Sequence, residues 1–420
     1  SDSSYKTDRY VAILGGGNAK NDRCGGSALF LVDLEGHVDD KPGRIFAAEK
    51  NGGPITIVDT SPQGVAFGSD VVSTPNGSDI PNAITGTPVV ITPDTAPNIP
   101  WRGALVYIND LEGKITKINL SNNTKGYNET GQLEPGVTKL YDQTTLFRLN
   151  ASEANARYSY FGMDAGLGLD DGGFWLFGST GNFTDLGGRE AGMDNILYGV
   201  QDKHYPFWKH LNSTTVPAAV VDASADPIQI NPEFLKAAHK GANDADIHVG
   251  NAMTCENVTG NGENENCPIS ASADAWVVHL EKQKGAGNST TYSSPRTFRK
   301  ASASPTLFKG KVYFPIYQPP VGVNRCNQGH AFICATDDEC GTNNSEQLGL
   351  AVPEGVDASN PTVNACAYVR EGVLSELVIF SDKLFANVAG PSDDESTLFS
   401  ILSIPGDVIS NRGGWRDSSF

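Results

Sequence analysis

The chain has 420 residues, 39% of them hydrophobic and only 19% charged, with 46 glycines, 24 prolines and a net charge of −18. That charge argues against nucleic acid and against anionic lipid, since both need a basic surface. No apolar run is long enough to cross a bilayer as a helix, and so turn-rich a composition points away from long helices.

Taken in chain order, the segments with strand character are short and come in bursts. The first burst is RYVAILG (Arg9 to Gly15), ALFLVDL (Ala28 to Leu34) and Ile45 to Ala48. Ile55 to Phe67, Thr87 to Ile91 and the hairpin ALVYINDLEGKITKINL (Ala104 to Leu120) follow, then Thr145 to Leu149, Phe174 to Gly178 and Ile196 to Gln201. A long polar region, about 212–267, separates these from Trp276 to Leu280, Ala303 to Phe308, Lys311 to Tyr317 and His330 to Ala335. Ser375 to Ile379 and Leu398 to Ile404 close the series, and only FLKAAHKGA (Phe234 to Ala242) has a helical composition. Each run is bounded by Gly, Asn, Asp, Ser or Pro, the pattern of an all-β chain. Asp33-Leu34-Glu35-Gly36 is echoed by Asp110-Leu111-Glu112-Gly113, each closing an apolar run. Units of four strands recurring every ~50–80 residues predict a modified or partial β-propeller with long loop insertions, read as one domain over 1–420, with a pair of β-sandwiches as the alternative of similar strand statistics.

Several motifs carry possible chemistry. VAILGGGNAK (Val11 to Lys20) imitates a dinucleotide fingerprint, but Lys20 stands where glycine or alanine belongs and NDRCGG follows where a helix must begin. A glycine-rich connection between strands is the expectation there. No G-x-S-x-G elbow occurs, and the seven histidines stand at no catalytic spacing. The acidic clusters Asp170-Asp171, Asp337-Asp338-Glu339 and Asp244 with Asp246 could offer oxygen ligands to calcium, yet none has the alternating spacing of a calcium loop. The aromatic clusters Tyr158-Ser-Tyr-Phe161 and Tyr205-Pro-Phe-Trp208 suit either packing or a binding surface.

The seven cysteines lack metal-site spacing and read as disulfides, hence an oxidising compartment. Cys255 with Cys267 is the expected pair; connectivity among Cys326, Cys334, Cys340 and Cys366 is open, and Cys24 is left over. Ten Asn-x-Ser/Thr sequons occur, at Asn76, Asn119, Asn122, Asn128, Asn150, Asn182, Asn212, Asn257, Asn288 and Asn343. Composition alone would give about five.

VYINDLEGKITKINLS (Val106 to Ser121) resembles the blade hairpin of the type IV pilus tip-associated adhesin family, the PilC/PilY group; Val106, Tyr107, Asp110, Leu111, Gly113 and Leu120 fit. TGTPVVI before it, FWLFGSTGN (Phe174 to Asn182), ILYGVQD (Ile196 to Asp202), ASADAWVVHL, SSPRTFRKASASPTLFKGKVYFPIYQP and the closing GGWRDSSF follow in the family's order. The resemblance implies the family's C-terminal β-propeller, without its long N-terminal region. It further implies an extracellular, non-enzymatic protein of pili, an adhesin or tip and assembly factor, whose partners are pilins and host or abiotic surfaces. The alternatives are a subunit coating or forming a filament of its own copies and, less in keeping, a quinoprotein-like propeller enzyme. Calcium is also implied, but the loop that would bind it reads TPDTAPNIPWRG, with Asp94 and Asn98 as the available ligands. Two oxygens cannot fill a shell of six to eight, and no ligand is carried over.

Overall fold

The segment Leu105–Asn109 is buried along its whole length, although successive side chains of a strand must point to opposite faces of its sheet. Both faces are therefore covered, and that requirement sets the architecture. The computed structural model describes residues 10–18, 26–35, 80–92, 104–120, 143–149, 151–168, 172–202, 275–284, 296–320, 328–339, 366–380 and 383–390. It also describes short pieces at 42–43, 45, 55–56, 125–127, 133–135, 205, 290–292, 341 and 400–403.

The first sheet contains β1 (Val11–Gly15), β2 (Ala28–Asp33) and β3 (Ile55–Thr56), in that order. The second begins with β4 (Val89–Ile91), β5 (Leu105–Asn109) and β6 (Lys114–Asn119); after a ribbon of β7 (Lys125–Tyr127) and β8 (Leu133–Pro135), β9 (Gln143–Arg148) completes it. The third is β10 (Asp164–Leu167), β11 (Phe174–Ser179), β12 (Ile196–Asp202) and β13 (Ala275–His279). A ribbon of β14 (Lys282–Lys284) and β15 (Thr290–Tyr292) leads to the fourth: β16 (Lys300–Ala301), β17 (Thr306–Phe308), β18 (Lys311–Gln318), β19 (His330–Asp337) and β20 (Ala367–Glu371). There β16 and β17 both pair with β18, and β19 and β20 follow. The last strands are β21 (Val373–Leu374), β22 (Val378–Phe380), β23 (Lys383–Ala386), β24 (Val388–Ala389) and β25 (Ser400–Ser403), paired as β21–β24 and β22–β23–β25.

Four apolar clusters lie between consecutive sheets. Leu29 and Leu31 of the first meet Val106 and Ile108 of the second. The alternate residues Leu105 and Tyr107 turn to Phe174, Leu176 and Tyr198 of the third. Trp175 and Phe177, on the reverse of the same strand, meet Val312, Phe314 and Phe332 of the fourth. Ala331 and Ile333 then face Leu374, Leu377 and Leu384. Each buried Phe or Leu contributes about 1.5–3 kcal/mol. Antiparallel sheets packed face to face in chain order are the arrangement of propeller blades; the fold is all-β and partial-propeller-like.

The echoed Asp-Leu-Glu segments close β2 and β5, the second strand of the first and of the second sheet. The expected single strand Ser375 to Ile379 is broken, because Ser375 bonds the carbonyl of Asn387 and its neighbours join two different sheets. Long connections recur between third and fourth strands, at 120–142, 203–274 and 338–366, while 34–54 joins the second and third strands of the first sheet. The expected polar insertion, 212–267, and the helix-like Phe234 to Ala242 fall within the second of these, outside the described residues. Among the described residues there is no α-helix, and no helix is long and apolar enough to cross a membrane.

Candidate functional site

Polar groups buried between the apolar layers form a seam along the second, third and fourth sheets. It starts at the hairpin Asp110 to Gly113. Gly113, at φ 73°, takes the left-handed conformation that glycine adopts without steric cost, and its N–H donates to the Asp110 carbonyl at 2.9 Å. Asp110 Oδ1 accepts the Lys114 N–H at 3.0 Å. Lys114 Nζ then bridges Asp110 Oδ2 at 3.1 Å and Glu112 Oε1 at 2.9 Å, all three residues being buried. Burial first, and the neighbouring Glu112 second, push the Asp110 carboxyl up to about 7 against the pull of Lys114.

Between the second and third sheets, Asp202 at the end of β12 accepts the Tyr107 hydroxyl at 2.8 Å and Lys117 Nζ at 2.6 Å. Burial lowers the Lys117 ammonium's pKa, with Asp202 opposing, and raises that of the Tyr107 phenol, with Asp202 adding to the effect. Further along, Asp194 takes Arg157 Nη2 on one oxygen and His279 Nδ1 on the other, the latter at 2.6 Å. Arg157 also donates to the Asp194 and Leu149 carbonyls. An aspartate orienting a histidine has the outline of two thirds of a catalytic triad. Among the described residues, however, no hydroxyl or thiol is hydrogen-bonded to His279 Nε2.

Glu281 ends the seam by gathering the R-T-F-R stretch. It accepts the N–H groups of Thr297 and Arg299 at 3.1 Å each, together with the Thr297 hydroxyl and Arg296 Nε. Arg299 lies over the Phe332 ring at 4.2 Å, and burial lowers its guanidinium to about 10.

Asp337 ends β19 and Asp338 and Glu339 stand in the turn that follows, where Asp337 Oδ1 accepts the Glu339 N–H at 3.2 Å. Burial, then Asp337 and Glu339, push Asp338 up to about 8, and its carbonyl accepts Trp276 Nε1 at 2.7 Å. Asp170, Asp171, Asp244, Asp246, Asp94 and Asn98 lie outside the described residues. Among the described residues no group of three His, Cys, Asp or Glu is placed to hold a metal ion.

Of the four cysteines left open, Cys334 and Cys366 form a disulfide. The register Ile333 with Ala367 sets them side by side on β19 and the entry to β20. Cys24, Cys255, Cys267, Cys326 and Cys340 are outside the described residues. Gly15 to Gly17, the fingerprint-like stretch, press against Ile84 and the Gly26 backbone. Of the aromatic clusters, Tyr158 stacks on Tyr160 at 6.0 Å and Tyr205 on Phe174 at 4.4 Å. The Lys117–Asp202 and Asp194–His279 pairs had no spacing signal, since each joins residues 85 positions apart, the first across two sheets and the second at the ends of the adjacent strands β12 and β13.

No protein-family model and no curated protein matches this sequence. Among solved structures, the chain is similar to the C-terminal domain of PilY1 from Pseudomonas aeruginosa. Identity is 11% over 94% of this chain and 72% of that one, with a TM-score of 0.41. The likeness is distant in both sequence and shape.

Proposed function

We propose that this chain is an extracellular protein associated with type IV pili, working as an adhesin or as a tip and assembly factor, by holding rather than by covalent chemistry. The observation that carries the reading is the placing of its long connections. The connections 120–142, 203–274 and 338–366 all join the third and fourth strands of successive sheets, and connections that recur at corresponding corners of a frame of packed sheets are suited to building a contact surface. The family-like segments support it too: the hairpin forms β5–β6, while FWLFGS and ILYGVQD pair directly as β11 and β12. The partners are then pilins or minor pilins and a host or abiotic surface.

Immunogold electron microscopy of piliated cells, with deletion of the gene alongside, tests the proposal. Gold at filament tips and fewer pili in the deletion strain are expected. Gold along whole filaments would replace it with a coating subunit, and absence from filaments would overturn it. A quinone absorbance band in the purified protein would move it to the enzymatic alternative.

A further inference from the structure

The connection between β11 and β12 carries the sequon Asn182-Phe183-Thr184, which the seam and the long connections leave unused. Asn182 ends an ordered approach: Gly181 donates to the Tyr158 carbonyl at 2.8 Å and bridges Ser159. A single 3₁₀ turn, Phe183–Asp185, follows. The Asn182 side-chain oxygen accepts two bonds from the third residue of the sequon, the Thr184 N–H at 3.2 Å and the Thr184 hydroxyl at 2.8 Å. An N–H donor fixes which end of the amide is oxygen. The turn therefore holds Oδ1 and leaves Nδ2, which makes no hydrogen bond among the described residues, as the end available outside.

Residues 183–185, 187 and 189–192 are exposed, so a substituent on Nδ2 meets no buried layer. Around the sequon lies a cluster of aromatic surface. Phe183 is 41% exposed and packs edge-on against Phe161 at 5.1 Å. Tyr160, half-buried and stacked on Tyr158, brings its hydroxyl to 3.4 Å from that of Thr184. Exposed aromatic surface of this kind is uncovered by anything in the stack, and the C–H face of a sugar ring packs well on it.

We propose that Asn182 is an N-glycosylation acceptor whose first sugar covers Phe183 and the edge of Tyr160. The donor is a lipid-pyrophosphate-linked oligosaccharide. Asn182 Nδ2 bonds the anomeric carbon, the bond from that carbon to the pyrophosphate oxygen breaks with its electron pair going to the oxygen, and the proton released from Nδ2 is taken up by the departing lipid pyrophosphate through solvent. The second-to-third strand connection lies at the end of the sheet opposite the third-to-fourth connection. The inference rests on the extracellular part of the proposed function, because such donors act outside the cytoplasm.

The test is peptide mass spectrometry on the protein isolated from the cells that make it, with and without enzymatic release of Asn-linked glycans in heavy-oxygen water. Conversion of Asn182 to labelled aspartate in more than half of the molecules is expected. Thr184→Ser retains the glycan, while Thr184→Ala and Asn182→Gln each lose one glycan's mass. Phe183→Ala retains the glycan but removes the rise in thermal midpoint that the glycosylated form shows over the enzymatically released one. An unmodified Asn182 peptide overturns the inference, whether or not other sequons are occupied. Protease accessibility on intact cells reports export separately, so that outcome leaves the extracellular reading to its own measurement.

Discussion

Tyr198 lies across its antiparallel partner Gly178, so close that a Cβ on the glycine would meet the phenol oxygen at 2.1 Å. The paired motifs F-G-S-T-G and L-Y-G-V-Q-D therefore have one physical cause: an aromatic ring on one strand needs a missing side chain on the next. Gly199 repeats the device under Trp276, whose indole would lie 2.4 Å from an added Cβ. Gly178→Ala should lower stability by about 1–3 kcal/mol through overpacking, measured by chemical denaturation. In a Tyr198→Ala background the same change should cost much less. Equal costs in both backgrounds would show that the ring does not set the limit.

Lys117 and Asp202 join the second and third sheets at 2.6 Å in a buried setting. Lys117→Met takes the ammonium from beside a buried carboxylate and should destabilise by about 3–5 kcal/mol. Replacing both residues by apolar ones should recover a large part of that loss. A double variant no better than Lys117→Met would contradict the assigned coupling.

Asp110 supplies a pH dependence. Its folded carboxyl is pushed up to about 7, above the ordinary aspartate value of about 3.9. The folded state thus holds a proton that the unfolded state releases, so this group's contribution is fully present below about pH 4 and is lost as pH rises towards 7. Asp110→Asn should flatten the fall in unfolding free energy over that window, seen in denaturation midpoints at pH 4.5, 5.5, 6.5 and 7.5. An unchanged slope would place the titration elsewhere.

The Cys334–Cys366 bridge closes a loop of sequence separation 32, for which chain entropy gives about 3–4 kcal/mol. Reduction, or the double change to alanine, should lower the thermal midpoint by several degrees. Intact-mass and peptide mapping without reductant should find these two peptides joined. Joining of Cys334 to Cys326 or Cys340 would contradict the register of β19 on β20.

The strands that sequence made legible were those carrying apolar runs, such as Lys311–Gln318 and His330–Asp337. Asp164–Leu167 was not among them, because D-A-G-L has neither β-branched residues nor alternation; Gly166 is admitted there by Leu307 of the neighbouring sheet. Ala367–Glu371 was missed as a mixed polar run. The seam was invisible for a related reason. The two lysines of K-I-T-K-I-N read as solvent-facing, whereas both are buried and Lys117 is held by Asp202, 85 positions away in the chain. Pairings of that range leave no local period to read. The cysteine partner was likewise decided by strand register.

One consequence follows from where the connection 203–274 begins and ends. Val200 and Ala275 sit opposite each other on adjacent strands, which places their Cα atoms about 5 Å apart. The chain leaves the third sheet and re-enters it beside its own point of departure. The pairing of β12 with β13 is fixed by their own register, Leu197 with Val278 and Gly199 with Trp276, so a variant in which a short turn replaces residues 206–274 should keep the pairings of β11, β12 and β13, with Tyr205 retained for its stack on Phe174. A foreign epitope or domain grafted between Tyr205 and Ala275 would then be presented where β12 hands over to β13, with the stack of Tyr205 on Phe174 kept.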